Sequence, residues 1–409
     1  MNILYLTDAI PPASTGGSGK RIYALCEELA RQGHALTLVT TVERRADVSD
    51  ERRGGIRIIS LYSRYHRGLR AYVSVHNPRV VRAVEKIIAD VRPDAVHFDN
   101  IHTHISYAAI RAAKRTGCKT YVTLRDAMAV AYGKMYPKIP VCGLTDFRRS
   151  WLDNFKQARK RFNPLRNFCI RRSLRGADAV IAVSGALKNI LEQNGIRVDE
   201  VIHDGIEIEP PALSSGERAA AAHRYGLEGK KIVFLPGRLN YAKGVYAAVD
   251  SFAEVVRRVP GALLLFVGAA PDEQEKMRAY AAEAGAAEHV RMLGWTDGAR
   301  LAAHYELSAV VISPSLCFDM FPGVNLEAAL YGKPVVTGCF GGAKEFVVDG
   351  KTGFIINPYK TGELTDALIK LLTDAGMSQR FGQAAYERLA ADFSIARIAQ
   401  SVLAQYAKR

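Results

Sequence analysis

Ala309-Val310-Val311-Ile312-Ser313-Pro314-Ser315-Leu316-Cys317-Phe318-Asp319-Met320-Phe321-Pro322-Gly323-Val324-Asn325-Leu326-Glu327-Ala328-Ala329-Leu330-Tyr331-Gly332 is the stretch on which the fold turns. Its apolar run, Ala309–Ile312, reads as a buried strand that Pro314-Ser315 ends. A Phe-Pro-Gly loop follows, then an expected short helix from about Val324 to Tyr331, stopped by Gly332. The helix would open with unbonded backbone N–H groups at Gly323, Val324 and Asn325, and with its positive dipole end toward the loop. Such an end is a place for an anion. Asp319 in the loop and Glu327 one turn into the helix, with seven residues between them, converge beside it. Next to an anion, carboxylates are poor phosphate ligands but good acceptors for sugar hydroxyls. The alternative is that Glu327 only complements the helix dipole and Asp319 is an ordinary loop residue.

The alternation of strand and helix continues on both sides. In the first half, strands are expected at Asn2–Thr7, Ala35–Thr41, Ile56–Leu61, Ala95–Phe98, Lys119–Leu124, Ala179–Val183 and Val201–His203. Helices fall at Arg21–Gln32, Val75–Val91, Ser106–Thr116 and after Ser184. These strands are continuous apolar runs, as in a parallel sheet covered on both faces. Glu207–Lys230, with Pro210-Pro211 and Ser214-Ser215-Gly216, breaks the rhythm and reads as a connection. A second series opens with strands at Ile232–Pro236, Ala262–Val267 and Val290–Leu293, and helices at Ala242–Arg258 and Asp272–Ala284. The expected fold class is α/β, two Rossmann-like doubly wound domains in succession.

A chain of 409 residues is long enough for two or three domains. No apolar run approaches the roughly 18 residues that would span a membrane. Met1-Asn2 leads directly into the first strand, so no signal peptide is expected. The six cysteines contain no Cys-x-x-Cys pair, which argues for a reducing cytosol and against a zinc site. The net charge of +15 lies wholly in the first half: residues 1–205 hold 34 Lys/Arg against 19 Asp/Glu, and residues 206–409 hold 22 of each. That half should be drawn to anionic surfaces. Nucleic acid is not the expected partner, because no interleaved aromatic platform or reading motif accompanies the charge.

Four more segments carry chemistry. Gly16-Gly17-Ser18-Gly19, between the first strand and first helix, is either a close-approach loop at a helix end or a plain turn. It is neither a dinucleotide fingerprint nor a Walker loop. Arg238 and Lys243, in Gly237-Arg238-Leu239-Asn240-Tyr241-Ala242-Lys243-Gly244, sit at the carboxyl end of a strand, where such sheets bind ligands. They suit a diphosphate leaving group, or are two solvated cations. Arg125 and Asp126 also end a strand, as a site pair or an ordinary ion pair. Finally, Phe147, Trp151, Phe155, Ala158 and Phe162 share one face of an expected helix, with Arg148, Arg149, Lys156, Arg159, Lys160 and Arg161 on its other sides. Aromatics opposite basic residues fit a helix lying on an anionic membrane surface; the alternative is a surface helix that buries its aromatics.

Taken together, these features resemble the GT-B glycosyltransferases of family 4, which are retaining enzymes. The resemblance runs through Gly16-Gly17, Gly33-His34, Pro93-Asp94-Ala95-Val96-His97 and Ala177-Asp178-Ala179-Val180-Ile181-Ala182-Val183-Ser184. It continues through Gly205-Ile206, Gly237-Arg238…Lys243-Gly244, Pro314-Ser315…Glu327, Gly332-Lys333-Pro334 and Asp349-Gly350-Lys351-Thr352-Gly353. It implies two domains facing a central cleft. Residues 1–205 would bind acceptor, 206–392 would bind the nucleotide-sugar, and 393–409 would form a terminal helix crossing back to the first domain. Arg238 and Lys243 would hold the diphosphate, Glu327 the ribose and Asp319 the sugar, with Gly323, Val324 and Asn325 facing donor and Gly16 and Gly17 bordering the reacting centre. The family usually has Glu where this chain has Asp319, and often His where it has Arg125. A fixed cation at Arg125 leads to the expectation of an anionic sugar in donor or acceptor.

The activity implied is transfer of a sugar from a nucleoside diphosphate sugar to an acceptor hydroxyl. The acceptor would be a lipid-linked, polysaccharide or glycolipid precursor at the cytoplasmic face of the membrane. No cofactor is expected, and no metal, since the chain lacks Asp-x-Asp. The alternatives are a nucleotide-sugar 2-epimerase of the same fold, or a non-catalytic nucleotide-sugar or membrane-surface binding protein.

Overall fold

Ile3, Leu4, Tyr5 and Leu6 are fully buried, so strand β1 (Asn2–Leu6) has no solvent face and takes a central place in its sheet. In the computed structural model, which describes residues 1–13, 16–210, 213–238, 240–268, 270–296 and 298–408, it is joined there by seven others. These are β2 (Ala35–Val42), β3 (Ser49–Arg53), β4 (Ile56–Tyr62), β5 (Ala95–Asp99), β6 (Lys119–Leu124), β7 (Ala179–Ala182) and β8 (Glu200–Val201). Their order is β3-β4-β2-β1-β5-β6-β7-β8, and every pairing but β3–β4 is parallel. Apolar side chains of β1, β2, β4 and the helix Gly17–Arg31 form one core with Ile395, Ile398, Val402 and Tyr406 of the last helix, Ile395–Ala407.

Strand β3 was not expected from the sequence. Ser-Asp-Glu-Arg-Arg carries no apolar signal because it is an exposed edge, turned back on β4 through Gly54-Gly55, both at positive φ. Two residues with positive φ are what a tight hairpin turn needs.

The second sheet is all parallel and six-stranded, in the order β11-β10-β9-β12-β13-β14. Its members are β9 (Lys231–Pro236), β10 (Ala262–Val267), β11 (Val290–Leu293), β12 (Ser308–Ser313), β13 (Val335–Gly338) and β14 (Gly353–Ile356). The helices Val245–Arg258 and Thr361–Thr373 pack Phe252, Val255, Leu364 and Leu368 onto it.

By its contacts the chain divides into two units. Unit 1 takes Met1–Met135, Thr145–Ile206 and the chain from Ile395, while unit 2 takes Tyr136–Leu144 and Glu207–Ser394. Residues 136–144 therefore lie outside the body formed by the sequence around them. In unit 2 the Pro140 carbonyl accepts from Asn357 Nδ2 at 2.7 Å, and Tyr136 lies 6.4 Å from Tyr241 between ring centroids. Cys142 forms a disulfide with Cys339 across a separation of 197 residues. This corrects the reading of all six cysteines as reduced. Spacing could not reveal a pair that only the fold brings together.

Candidate functional site

In unit 2 the loops after β9 and β12 meet at the carboxyl edge of the sheet. Gly237 and Gly244 both have positive φ, and a Cβ on Gly244 would run into the Pro314 carbonyl. The absence of a side chain lets the turn Tyr241–Lys243 press against the β12 loop, where the Leu316 N–H donates to the Ala242 carbonyl at 2.9 Å. This delivers Lys243 Nζ to Asp319 Oδ2 at 2.5 Å. Ser315 Oγ donates to the same oxygen at 3.3 Å. Burial pulls the Lys243 ammonium down, but the charge and hydrogen bond of Asp319 carry it above its ordinary value. Lys243 is thus a held cation with its side chain 36% exposed, and Arg238, exposed in the same loop, lies near enough to oppose its charging.

The helix after the Phe-Pro-Gly loop is Gly323–Leu330, and no side chain caps its amino end. Asn325 N–H bonds back to the Pro322 carbonyl at 3.1 Å, and its amide Oδ1 accepts from Ser313 Oγ at 2.8 Å. Asn325 thus fixes the helix to β12, while Gly323 and Val324 hold the N–H groups that start the helix without acceptors inside it. Glu327 is half-buried and accepts a 2.7 Å hydrogen bond from Tyr305, whose ring stacks on Tyr331. Ser315 and Tyr305, which orient the two carboxylates, were not singled out from the sequence. Unit 2 thus gathers Arg238, Lys243, Asp319, Gly323, Val324, Asn325 and Glu327 on the loops after β9 and β12 and the helix that follows. Among the described residues no three His, Cys, Asp or Glu side chains cluster to hold a metal.

Unit 1 gathers a different set at the ends of β5 and β6. Arg125 Nε and Nη2 donate to Asp99 Oδ1 and Oδ2 at 2.7 and 2.8 Å, and Nη1 pairs with Asp204. The arginine side chain is only 9% exposed and Asp99 is fully buried. Burial raises the Asp99 carboxyl above its usual range, against the opposing pull of Arg125. Two carboxylates thus occupy the guanidinium fork, which removes the physical basis for expecting Arg125 to select an anionic sugar. Asp126 caps the turn after β6 by accepting from Met128 N–H at 2.9 Å, and its other oxygen lies 3.7 Å from His102 Nε2. His97, buried beneath, bonds Tyr406 Oη at 2.6 Å and Thr123 Oγ1 at 2.8 Å, and burial holds it down at about 3. Gly16 precedes, and Gly17 opens, the uncapped helix Gly17–Arg31; Ser14 and Thr15 before them lie outside the described residues.

The aromatic–basic segment differs from the single helix expected over residues 147–162. A capping box between Ser150 and Asp153 starts the helix at Trp151, and it ends at Ala158. Arg159–Arg161 form one tight turn with Arg159 at positive φ, and Phe147 precedes the helix. Asn154 and Ala158 form the buried face. Trp151 and Phe155 stack on the outer face, 61% and 45% exposed, with the Phe162 edge against both. Lys156, Arg159, Lys160 and Arg161 are all exposed beside them. The outer aromatics therefore do not form a core. No helix among the described residues is long and apolar enough to cross a membrane.

Comparison with known proteins gives two family matches: the glycosyl transferase 4-like domain over residues 16–205 and glycosyl transferases group 1 over residues 219–388. Glycogen synthase of Mycobacterium tuberculosis (strain ATCC 25618 / H37Rv) is 25% identical over 99% of this chain and 94% of its own. The GDP-mannose-dependent alpha-(1-6)-phosphatidylinositol monomannoside mannosyltransferase of Mycolicibacterium smegmatis is 32% identical over 45% of this chain and 50% of its own. Among solved structures, sucrose-phosphate synthase from Thermosynechococcus elongatus matches with a TM-score of 0.77 at 21% identity, over 99% of this chain and 98% of that one.

Proposed function

The chain belongs to the group 1 glycosyl transferases of GT-B fold, and from that premise we propose that it is a retaining transferase using a nucleoside diphosphate sugar. The observation that carries this reading is the Lys243–Asp319 pair, with Arg238 in the same loop as Lys243 and Glu327 on the helix Gly323–Leu330, whose uncapped amino end follows Asp319 in the chain. Cations and N–H groups suit the diphosphate, and carboxylates suit hydroxyls of ribose and sugar. In the reaction the bond from the sugar anomeric carbon to the diphosphate oxygen breaks. The acceptor oxygen bonds to that carbon on the same face, and the acceptor proton passes to the departing oxygen. Lys243 and Arg238 meet charge that grows on the leaving group, where fixed cations act most strongly. No metal is assigned to the step. In a thermal-shift panel of nucleotide-sugars the true donor should raise the melting temperature by mass action. NMR of the product should show the donor's anomeric configuration and turnover should survive a chelator; an inverted product overturns the retaining reading. Nucleotide release without any acceptor would instead mark an epimerase.

We further propose a lipid-linked or glycolipid acceptor, met at the cytoplasmic face of a membrane. The exposed pair Trp151–Phe155 beside Lys156, Arg159, Lys160 and Arg161 supports this, because aromatics and cations together match an anionic lipid interface. Each basic residue near such a leaflet contributes on the order of 1 kcal/mol, screened by salt. The mannosyltransferase relative is one whose name includes phosphatidylinositol monomannoside. Sedimentation with anionic vesicles at low salt, weakened by Trp151→Ala and by Arg159/Lys160/Arg161→Glu, is the expected result. Failure of the wild type to sediment assigns a soluble acceptor.

A further inference from the structure

Behind the exposed aromatics of unit 1 lies an open recess of about 580 Å³ that none of the readings above uses. Its wall includes Arg149 and Arg171, and its rim includes Trp151, Phe162 and Phe168, the last 57% exposed. Among the described residues neither arginine forms a salt bridge. The Arg149 guanidinium donates only to neutral oxygens: Asn154 Oδ1 at 3.3 Å, the Asp153 carbonyl at 3.1 Å and Gln157 Oε1 at 3.2 Å. Arg171 donates to the Asn194 carbonyl at 3.4 Å, and the Arg149 backbone N–H bonds the Asn194 side chain at 2.9 Å, so one asparagine anchors both. Burial lowers the Arg149 guanidinium, with Asp153 opposing.

Two guanidinium groups line one half-buried recess, neither in a salt bridge among the described residues, and a bound anion would complete them. Guanidinium forks match phosphate oxygens, and an aromatic rim matches apolar chains at an interface. We propose that this recess is a binding site for a phosphate ester carried on a lipid, with Arg149 and Arg171 on the phosphate and Trp151 and Phe168 along the first carbons of the chain. The lipid half of the assignment rests on the membrane reading above; the phosphate half does not.

The chain contains two tryptophans, so a Trp295→Phe background leaves Trp151 as the sole indole reporter, on the rim itself. Monomeric dioctanoyl phosphatidic acid should change its emission saturably. Arg171→Gln should weaken that binding tenfold or more, and Arg149→Lys should weaken it less than Arg149→Gln. Dioctanoylglycerol, lacking phosphate, should give no saturable change, and inorganic phosphate should compete only at far higher concentration. Equal affinity for inorganic phosphate keeps the anion site and assigns it to free phosphate. No saturable response in wild type, or an undiminished one in both Arg171→Gln and Arg149→Gln, overturns the proposal. If monomers bind and anionic vesicles do not, the membrane reading fails and the recess stands. If vesicles bind equally to wild type and both glutamine variants, and monomers do not bind, the recess fails and the membrane reading stands.

Discussion

Each unit places a cation at the carboxyl edge of its sheet, and the two are treated in opposite ways. In unit 1 Arg125 is enclosed by Asp99 and Asp204, its fork fully used and its side chain 9% exposed. In unit 2 Lys243 leans on one carboxylate, Asp319, keeps 36% exposure and has a second cation, Arg238, in the same loop. The first arrangement sets two carboxylates against one guanidinium, and all three of its nitrogens donate to them. The second is a held charge with, among the described residues, one hydrogen bond to its carboxylate. Residue type at a strand end says little here; the count of partners separates structure from chemistry.

The largest effect is expected from Arg125→Ala. It strands the buried Asp99 beside Asp204, and unpairing a buried charge costs about 3–5 kcal/mol. A melting curve should show that loss in unit 1. If melting is unchanged while turnover falls, Arg125 touches substrate after all. Lys243→Ala should do the reverse: kcat/KM lower by about 10²–10³-fold, with the fold retained. Arg238→Ala should act in the same direction by a smaller factor. Unchanged kinetics in Lys243→Ala would remove it from the reaction.

His97 and Lys243 should also part on the pH axis. His97 is neutral in the folded state down to about 3, whereas an unfolded chain protonates it near 6.5. Its contribution is therefore complete above 6.5 and lost as pH falls, by up to about 1.4 kcal/mol per pH unit. Lys243 is raised when folded, so its contribution is complete below its ordinary 10.5 and lost as pH rises through the folded value. Burial also holds the His304 ring of unit 2 down, at about 4, so the acid limb reports both units, and His97→Asn should remove only the His97 share of its slope. A wild-type acid limb without slope in this range would count against the buried neutral ring. Smallest of all, Asp319→Glu should shift donor KM by less than about tenfold and leave melting near wild type. A larger loss would mean the Lys243 contact tolerates only the shorter carboxylate.

What the sequence made legible follows the same division. Both sheets could be read because their strands are buried on two faces, and such strands are continuous apolar runs. The loop after β12, the helix at Gly323 and the glycines at 237 and 244 were legible because local backbone demands fix their residue types. Arg125 was not, since its partners lie 26 and 79 residues away and only the fold supplies them. The edge strand β3 failed for want of apolar signal. The helix expected from residue 147 followed a true aromatic spacing but overlooked Ser150-x-x-Asp153, a start signal written in the sequence itself.

Residues 136–144 have a consequence for how this molecule can be taken apart or recombined. The chain passes between the two units four times, at 135/136, 144/145, 206/207 and 394/395. The body that carries Lys243 and Asp319 is therefore not one uninterrupted block of coding sequence. A chimera that exchanges everything after residue 206 with a relative would separate Cys339 from Cys142 and Asn357 from the Pro140 carbonyl. Transplanting that body intact means carrying nine residues from the middle of the other half along with it.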